Sequence, residues 1–287
     1  MKYVLYYDSI PGEDFRKNFP GKETIHAQMG EICRIYGVDS NLFIGPEEIR
    51  ARVDLLPENN KYVRLLECGN GKSTYLRVFN DMIHVPTEAE ITAAFKRLVM
   101  ELPTVGFAVG QEERNHKGVA DRDYNFALQK DFRYALINQG FEVSDVNFEK
   151  EIPSHINIVV IVEPKREFND VENLNLDKYL ARGGNLLIMA EPRRAEVMAP
   201  LLARFGVRQL PGTLVRKTKQ FAPDLVVAKP TKEAAAKYYH LAGFAEEHFV
   251  TMPSVSPLEY DTGKGYDVIP LLQTDSLYWN ELETTDF

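Results

Sequence analysis

Between positions 104 and 192 the chain alternates short apolar runs with segments of helical period. Residues 104–109 and the run Ile156-Asn157-Ile158-Val159-Val160-Ile161-Val162 are nearly continuous in apolar character, 185–190 is a shorter run of the same kind, and 141–146 is a further strand-like segment. Runs lacking the polar alternation of a half-solvated strand suit parallel strands covered on both faces. Between them, 170–182 reads as a helix closed by Gly183-Gly184. Tyr124, Leu128, Phe132, Ala135 and Leu136 are spaced as the core stripe of a second helix, stopped by Gly140. Val197, Met198, Leu201, Leu202 and Phe205 do the same for a third, ending at Gly206. The alternation predicts an α/β fold with a flavodoxin-like parallel sheet ordered 2-1-3-4-5, the fifth strand lying at 225–228. Ligands of such sheets sit beyond the carboxyl ends of the strands, so the loops after Val109, Val162 and Ala190 are where a site is expected.

The first third has a different texture. Strands are expected at 3–7, 62–66 and 73–79, and helices within 21–36 and 46–53, with Pro46 suited to an early helical position. Gly69-Asn70-Gly71 between two strand-like runs signals a hairpin. Gly71-Lys72-Ser73 resembles a phosphate loop only superficially, because Leu66 stands where the Walker pattern needs its first glycine. Thr87-Glu88-Ala89-Glu90 is a capping box. The helix it opens spaces Ile91, Ala94, Phe95, Leu98, Val99 and Leu102 along one face and ends before Pro103. These signals predict a smaller N-terminal α/β domain over 1–102, thioredoxin-like in outline, with 87–102 as connector helix, and a parallel α/β domain over 103–287. Near the C-terminus a helix is expected at 231–241 and strands at 249–252 and 268–272. Pro253, Pro257 and Pro270 confine those strands to sheet edges or ends.

At 287 residues the chain can bury a sizeable core, and its formal charge of −8 argues against a nucleic-acid partner. No apolar run approaches the ~20 residues that cross a bilayer, and the first residues read as a strand rather than a signal peptide. The two cysteines, Cys33 and Cys68, make no zinc spacing. Cys33 fits a small buried hydrophobe, and pairing with Cys68 stays open.

Few motifs carry chemistry. There is no Gly-x-Ser-x-Gly elbow, no HExxH, and no Gly-x-Gly-x-x-Gly after Val109, so no cofactor is expected. His116 reads as a solvated loop histidine and His155 as a surface or satisfied core residue. Glu112, Glu113, Asp121 and Asp123 gather carboxylates in one region, which the helix dipole alone explains. A hydrolase or transferase using Glu112, Glu113 and Asp123 is the enzymatic alternative. One constellation stands out: Glu163-Pro164-Lys165-Arg166 after the third strand is echoed by Glu191-Pro192-Arg193-Arg194 after the fourth. The first loop adds Glu113-Arg114. Glu113, Arg114, Glu163, Lys165, Glu191 and Arg193 are therefore the candidate ligand- or partner-binding residues. Solvated charges pairing with one another are the bland alternative.

The run Val105-Gly106-Phe107-Ala108-Val109-Gly110-Gln111-Glu112-Glu113-Arg114 resembles an element of the GldG family, auxiliary proteins of ABC-type transport systems named for gliding motility. The likeness continues through Asp123-Tyr124, Gly140-Phe141-Glu142-Val143, Ile152-Pro153 and 177–188. It ends with Phe205-Gly206-Val207, 268–275 and Trp279. Gln111-Glu112 departs from the family's usual His-Gly, so no role of that histidine transfers. The resemblance implies a fold similar to class I glutamine amidotransferases and to a domain of intraflagellar-transport proteins, without catalysis. It also implies an extracytoplasmic, periplasmic position as the excised part of a membrane-anchored protein. The expected partners are ABC transporter permease and ATPase subunits, together with a polar or anionic ligand.

Overall fold

The computed structural model describes residues 5–6, 30, 33–59, 61–118, 123–124, 126–243 and 248–283. The chain divides into two compact units, Met1–Leu65 and Leu66–Phe287.

In the first unit, β1 (Leu5–Tyr6) pairs in parallel with β2 (Phe43–Ile44). Helix α1 (Pro46–Arg52) starts with Pro46 at its first position. Most of the helix expected within 21–36 lies outside the described residues, although Cys33–Tyr36 is helical. Cys33 is buried as expected, and it and Cys68 are both free thiols. Strand β3 (Val63–Glu67), which runs across the boundary at Leu65, forms a two-stranded sheet with β4 (Ser73–Arg77). The Cys68 N–H donates to the Lys72 carbonyl at 2.9 Å, and Gly71 adopts φ +84°, the left-handed conformation this turn requires. The hairpin reading therefore holds.

The second unit is built on a four-stranded parallel sheet ordered β6–β5–β7–β8: Glu142–Val146, Thr104–Ala108, Ile156–Val162 and Asn185–Met189. In chain order this is 2-1-3-4, as the apolar runs predicted. Alternate residues of each strand feed two cores. One holds Ala108, Val146, Val159, Ile161, Leu186 and Ile188; the other holds Val105, Phe107, Val160 and Val162. Gly106 leaves no room for a side chain, since an added Cβ would lie 2.4 Å from Val146 Cγ2.

Helices α3 (Asp170–Ala181) and α4 (Ala195–Ala203) cover the first face with Leu176, Tyr179, Met198, Leu201 and Leu202. The second face carries no helix among its described residues. Tyr124, Phe126, Ala127, Leu136 and Phe141 reach it from turns and one 3-10 segment, Leu136–Asn138. This corrects the helix expected there. The Asn138 side-chain amide donates to the carbonyls of Phe132 at 2.8 Å and Lys130 at 3.3 Å, and Gln139 Nε2 donates to that of Arg133 at 2.9 Å. Side-chain amides that capture main-chain carbonyls offer the backbone an alternative to helical bonding.

Helix α2 (Glu88–Val99) begins with the predicted capping box, but its buried face is Glu90, Ala93, Ala94 and Leu98. Phe95 and Val99, assigned to the packed stripe, are 56% and 70% exposed. The helix turns Glu90 inward because Arg133 Nη1 donates to its carboxylate at 2.8 Å. That same guanidinium bonds Asp81 through Nε and Nη2 at 2.7 and 2.9 Å and lies 4.7 Å over the Phe79 ring.

The expected fifth strand is also corrected. Strand β11 (Leu225–Pro230) is the centre of a separate antiparallel sheet with β12 (Val250–Pro253) and β14 (Leu272–Gln273). A parallel neighbour for β8 needs a direct return from α4. The chain instead spends that stretch on β9 (Val207–Gln209), paired with β13 (Leu258–Tyr260), and on β10 (Thr213–Val215), paired with β15 (Trp279–Glu281). The helix expected at 231–241 breaks at Tyr238 into α5 (Lys232–Lys237) and α6 (Tyr239–Ala242).

Candidate functional site

The carboxyl ends of β5, β7 and β8 carry the charged loops that the sequence singled out. Two of the described non-glycine residues with positive φ sit there, Glu112 at 56° and Glu163 at 48°. A side chain in that region of backbone space costs free energy that surrounding contacts must offset. The contacts are visible. Lys165 N–H donates to the Gln111 carbonyl at 2.8 Å, Arg114 N–H to that of Val162 at 3.3 Å, and Glu163 N–H to that of Met189 at 2.9 Å.

At the centre lies Glu172, in the first turn of α3 and fully buried. Its carboxylate receives both Arg166 Nη1 and Nη2, at 2.9 and 2.7 Å, and the Asn169 N–H at 2.8 Å. Gln111 Nε2 adds a fourth bond at 2.7 Å. The Arg166 guanidinium, ahead of these other donors, holds the Glu172 carboxyl below the usual carboxylate range. Arg166 Nη2 also reaches the Gly110 carbonyl at 2.9 Å, tying the loop after β5 to the loop after β7.

Each predicted rim residue has a definite place. Arg114 Nη1 pairs with Glu163 Oε1 at 3.2 Å, which brings two of them together across the strand ends. Lys165 pairs with Glu112 at 3.4 Å, and Glu191 pairs with Arg194 of its own turn at 3.1 Å. Arg193 is exposed on the short 3-10 turn Pro192–Arg194. Glu113 folds back over its own loop, where Oε2 accepts the Gln111 N–H at 2.8 Å. Burial raises the Glu113 pKa above the ordinary carboxylate value, against the pull of loop amides and of Arg166. The two carboxyl groups linked to Gln111, those of Glu113 and Glu172, are thus driven in opposite directions.

His116 is not the solvated residue the sequence suggested, being only 3% exposed. Its ring stacks on Phe107 at 4.5 Å, and Nε2 lies 3.3 Å from Asp145 Oδ1. Burial pushes its pKa down, with Asp145 opposing. His155 is exposed. Asp123 accepts the Asn115 N–H at 3.1 Å, and Asp121 lies outside the described residues.

Sequence reasoning named neither Gln111 nor Glu172 as a site residue, and it treated Arg166 only as part of a tetrapeptide. The Asn169-x-x-Glu172 capping box could have flagged Glu172, since its carboxylate had to sit at a helix start facing a strand end. No local signal marks Gln111.

The class defined by these observations is an α/β domain with a short parallel sheet and charged strand-end loops. The chain belongs to the auxiliary family described as an ABC-type uncharacterized transport system, which matches residues 102–286. Among solved structures the chain is similar to an "mmIFT52 N-terminal domain", with a TM-score of 0.45 and 18% identity over 61% of this chain and 74% of that chain. Comparison with curated proteins gives no match. No helix among the described residues is long and apolar enough to cross a membrane.

Proposed function

We propose that this chain is a non-enzymatic accessory domain of an ABC-type transport system, acting by binding. The observation that supports this reading is how the strand-end charges are used. Arg166 and Glu172 lock two loops together, and Arg114 with Glu163 ties the same pair of strand ends. Such fixed loops present a shaped rim, which suits recognition of a partner's charged loop or of a polar or anionic ligand. Membership of the transport family points to permease or ATPase subunits as partners. The GldG resemblance adds the extracytoplasmic side of the membrane, anchoring by helices of a longer protein, and gliding motility as the finer assignment. In this reading 103–287 is the working domain and 1–102 a smaller thioredoxin-like domain joined through 87–102.

The test is capture of ABC transporter permease and ATPase subunits, by crosslinking in membranes. Charge reversal of Lys165 and Arg193 to Glu should cut capture at least tenfold while the Arg114–Glu163 tie is left in place. Undiminished capture by the double variant refutes the rim. Turnover of a hydrolase or transferase substrate that disappears in Glu113→Gln would install the enzymatic alternative instead.

A further inference from the structure

Buried polar atoms in native proteins are almost always partnered, and an exception calls for an account. Two such exceptions fall within one turn at the end of β5. Gln111 Oε1 and Glu113 Oε1 are both buried and have no hydrogen-bond partner. Gln111 as a whole is 0% exposed. Its orientation is fixed, because Nε2 must face the Glu172 carboxylate at 2.7 Å, which commits the carbonyl oxygen to the other side. The turn is held closed by the 2.8 Å bond from Gln111 N–H to Glu113 Oε2.

The surrounding charges are matched in pairs. Arg166 is bound to Glu172, Arg114 to Glu163 and Lys165 to Glu112. Glu113 instead rests on a loop amide, and among the described residues no basic side chain forms an ion pair with it. Among the described residues, Glu113 is thus a carboxylate with no cation paired to it, beside an amide oxygen that also lacks a donor. Both unpartnered atoms are acceptors, so what fits is a donor, and the carboxylate of Glu113 favours a positive one. We propose that the β5 end loop binds a primary ammonium group, through Gln111 Oε1 and Glu113 Oε1. Its three N–H donors supply both oxygens, and its charge neutralises Glu113. Glu113 is itself only half-buried, so this end of the loop borders solvent.

The inference rests on the binding role proposed above and gives that rim a ligand chemistry. A free amine and a lysine side chain of a partner share it. The probes are methylammonium, Nα-acetyl-lysinamide and, as a cation with no N–H, tetramethylammonium, each titrated at constant ionic strength and pH into the full chain. The readout is the NMR shift of the Gln111 side-chain amide and of the Glu113 carboxyl carbon. Saturable shifts with the first two and none with the third are expected. Glu113→Gln should weaken binding at least tenfold with its remaining spectrum unchanged. Tighter binding of the lysinamide assigns a polypeptide lysine, and tighter binding of methylammonium a free amine. Equal responses to tetramethylammonium, or no saturation by any probe, overturn the site. So does a Glu113 that simply takes up a proton, its carbon shift following pH and ignoring the amines. Loss of transporter capture with this titration intact would defeat the accessory role alone.

Discussion

The two faces of the parallel sheet are covered by different means. On one face, α3 and α4 lay Leu176, Tyr179, Met198, Leu201 and Leu202 against β7 and β8, and cohesion comes from apolar packing. On the other, the segment between β5 and β6 reaches Val105, Phe107 and Val160 from turns, pinned by Asn138, Gln139 and Arg133. The difference shows that apolar residues at helical spacing make a helix only when nearby polar side chains do not claim the carbonyls first. A face clad by helices tolerates polar change and suffers from lost volume. A face clad by pinned turns should behave the other way round.

Substitution of the pinning arginine is the most damaging way to test this. Arg133→Met strands Glu90, which is 4% exposed, as a buried carboxylate without its cation. The expected loss is about 3–5 kcal/mol, read by urea unfolding. On the helix-clad face, Leu176→Ala at a fully buried site should cost about 2–5 kcal/mol through the cavity it leaves. If Arg133→Met cost less than about 1 kcal/mol, the pinned-turn account of the second face would fail.

The same contrast decides what could be read in the sequence. Strands β5, β7 and β8 are legible because nearly unbroken apolar runs leave few alternatives, and α3 because the segment before it ends a strand and Gly183-Gly184 closes it. The absent helix at 124–139 was illegible because its stripe is correctly spaced. What cancels it is Asn138 and Gln139 bonding carbonyls six residues back, together with an arginine whose partners Asp81 and Glu90 lie some fifty and forty positions earlier. The exposure of Phe95 and Val99 has the same long-range origin. The rim was legible as repeated charge, but Gln111 acquires its meaning only through Glu172, 61 residues away.

Titration sharpens the comparison, with smaller effects. His116, stacked on Phe107 of the turn-covered face, has a folded pKa below its ordinary 6.5, and Glu172, at the head of α3, has one below its ordinary 4.5. In both cases the unfolded chain binds the proton more readily, so acidification lowers stability. His116 acts as pH falls below 6.5, and Glu172 only as it falls below 4.5. His116→Phe should flatten the first limb of a stability-against-pH curve and leave the second, while Glu172→Gln should do the reverse. Glu113, whose folded pKa is raised, has the opposite sign: its contribution is present in acid and disappears as pH rises through the folded value. Loss of the same limb in both variants, or of both limbs in one, would mean that the two faces do not titrate independently.

The mildest change is the most informative about the rim. Lys165 and Glu112 are 47% and 75% exposed at their side chains and 3.4 Å apart. An exposed pair of this kind is worth about 0–1 kcal/mol. Lys165→Ala should therefore leave the urea midpoint nearly where it was, because the Lys165 N–H still donates to the Gln111 carbonyl whatever the side chain. If the strand-end rim is a recognition surface, the same variant should weaken capture of transporter subunits severalfold and reduce its salt dependence, since a charge lost from a rim acts mainly on encounter. Stability and capture then separate. Were both unchanged, Lys165 would be ordinary solvated surface. Were stability to fall by more than ~1 kcal/mol, the side chain would be bracing the loops after β5 and β7, and the rim would owe its charges to folding.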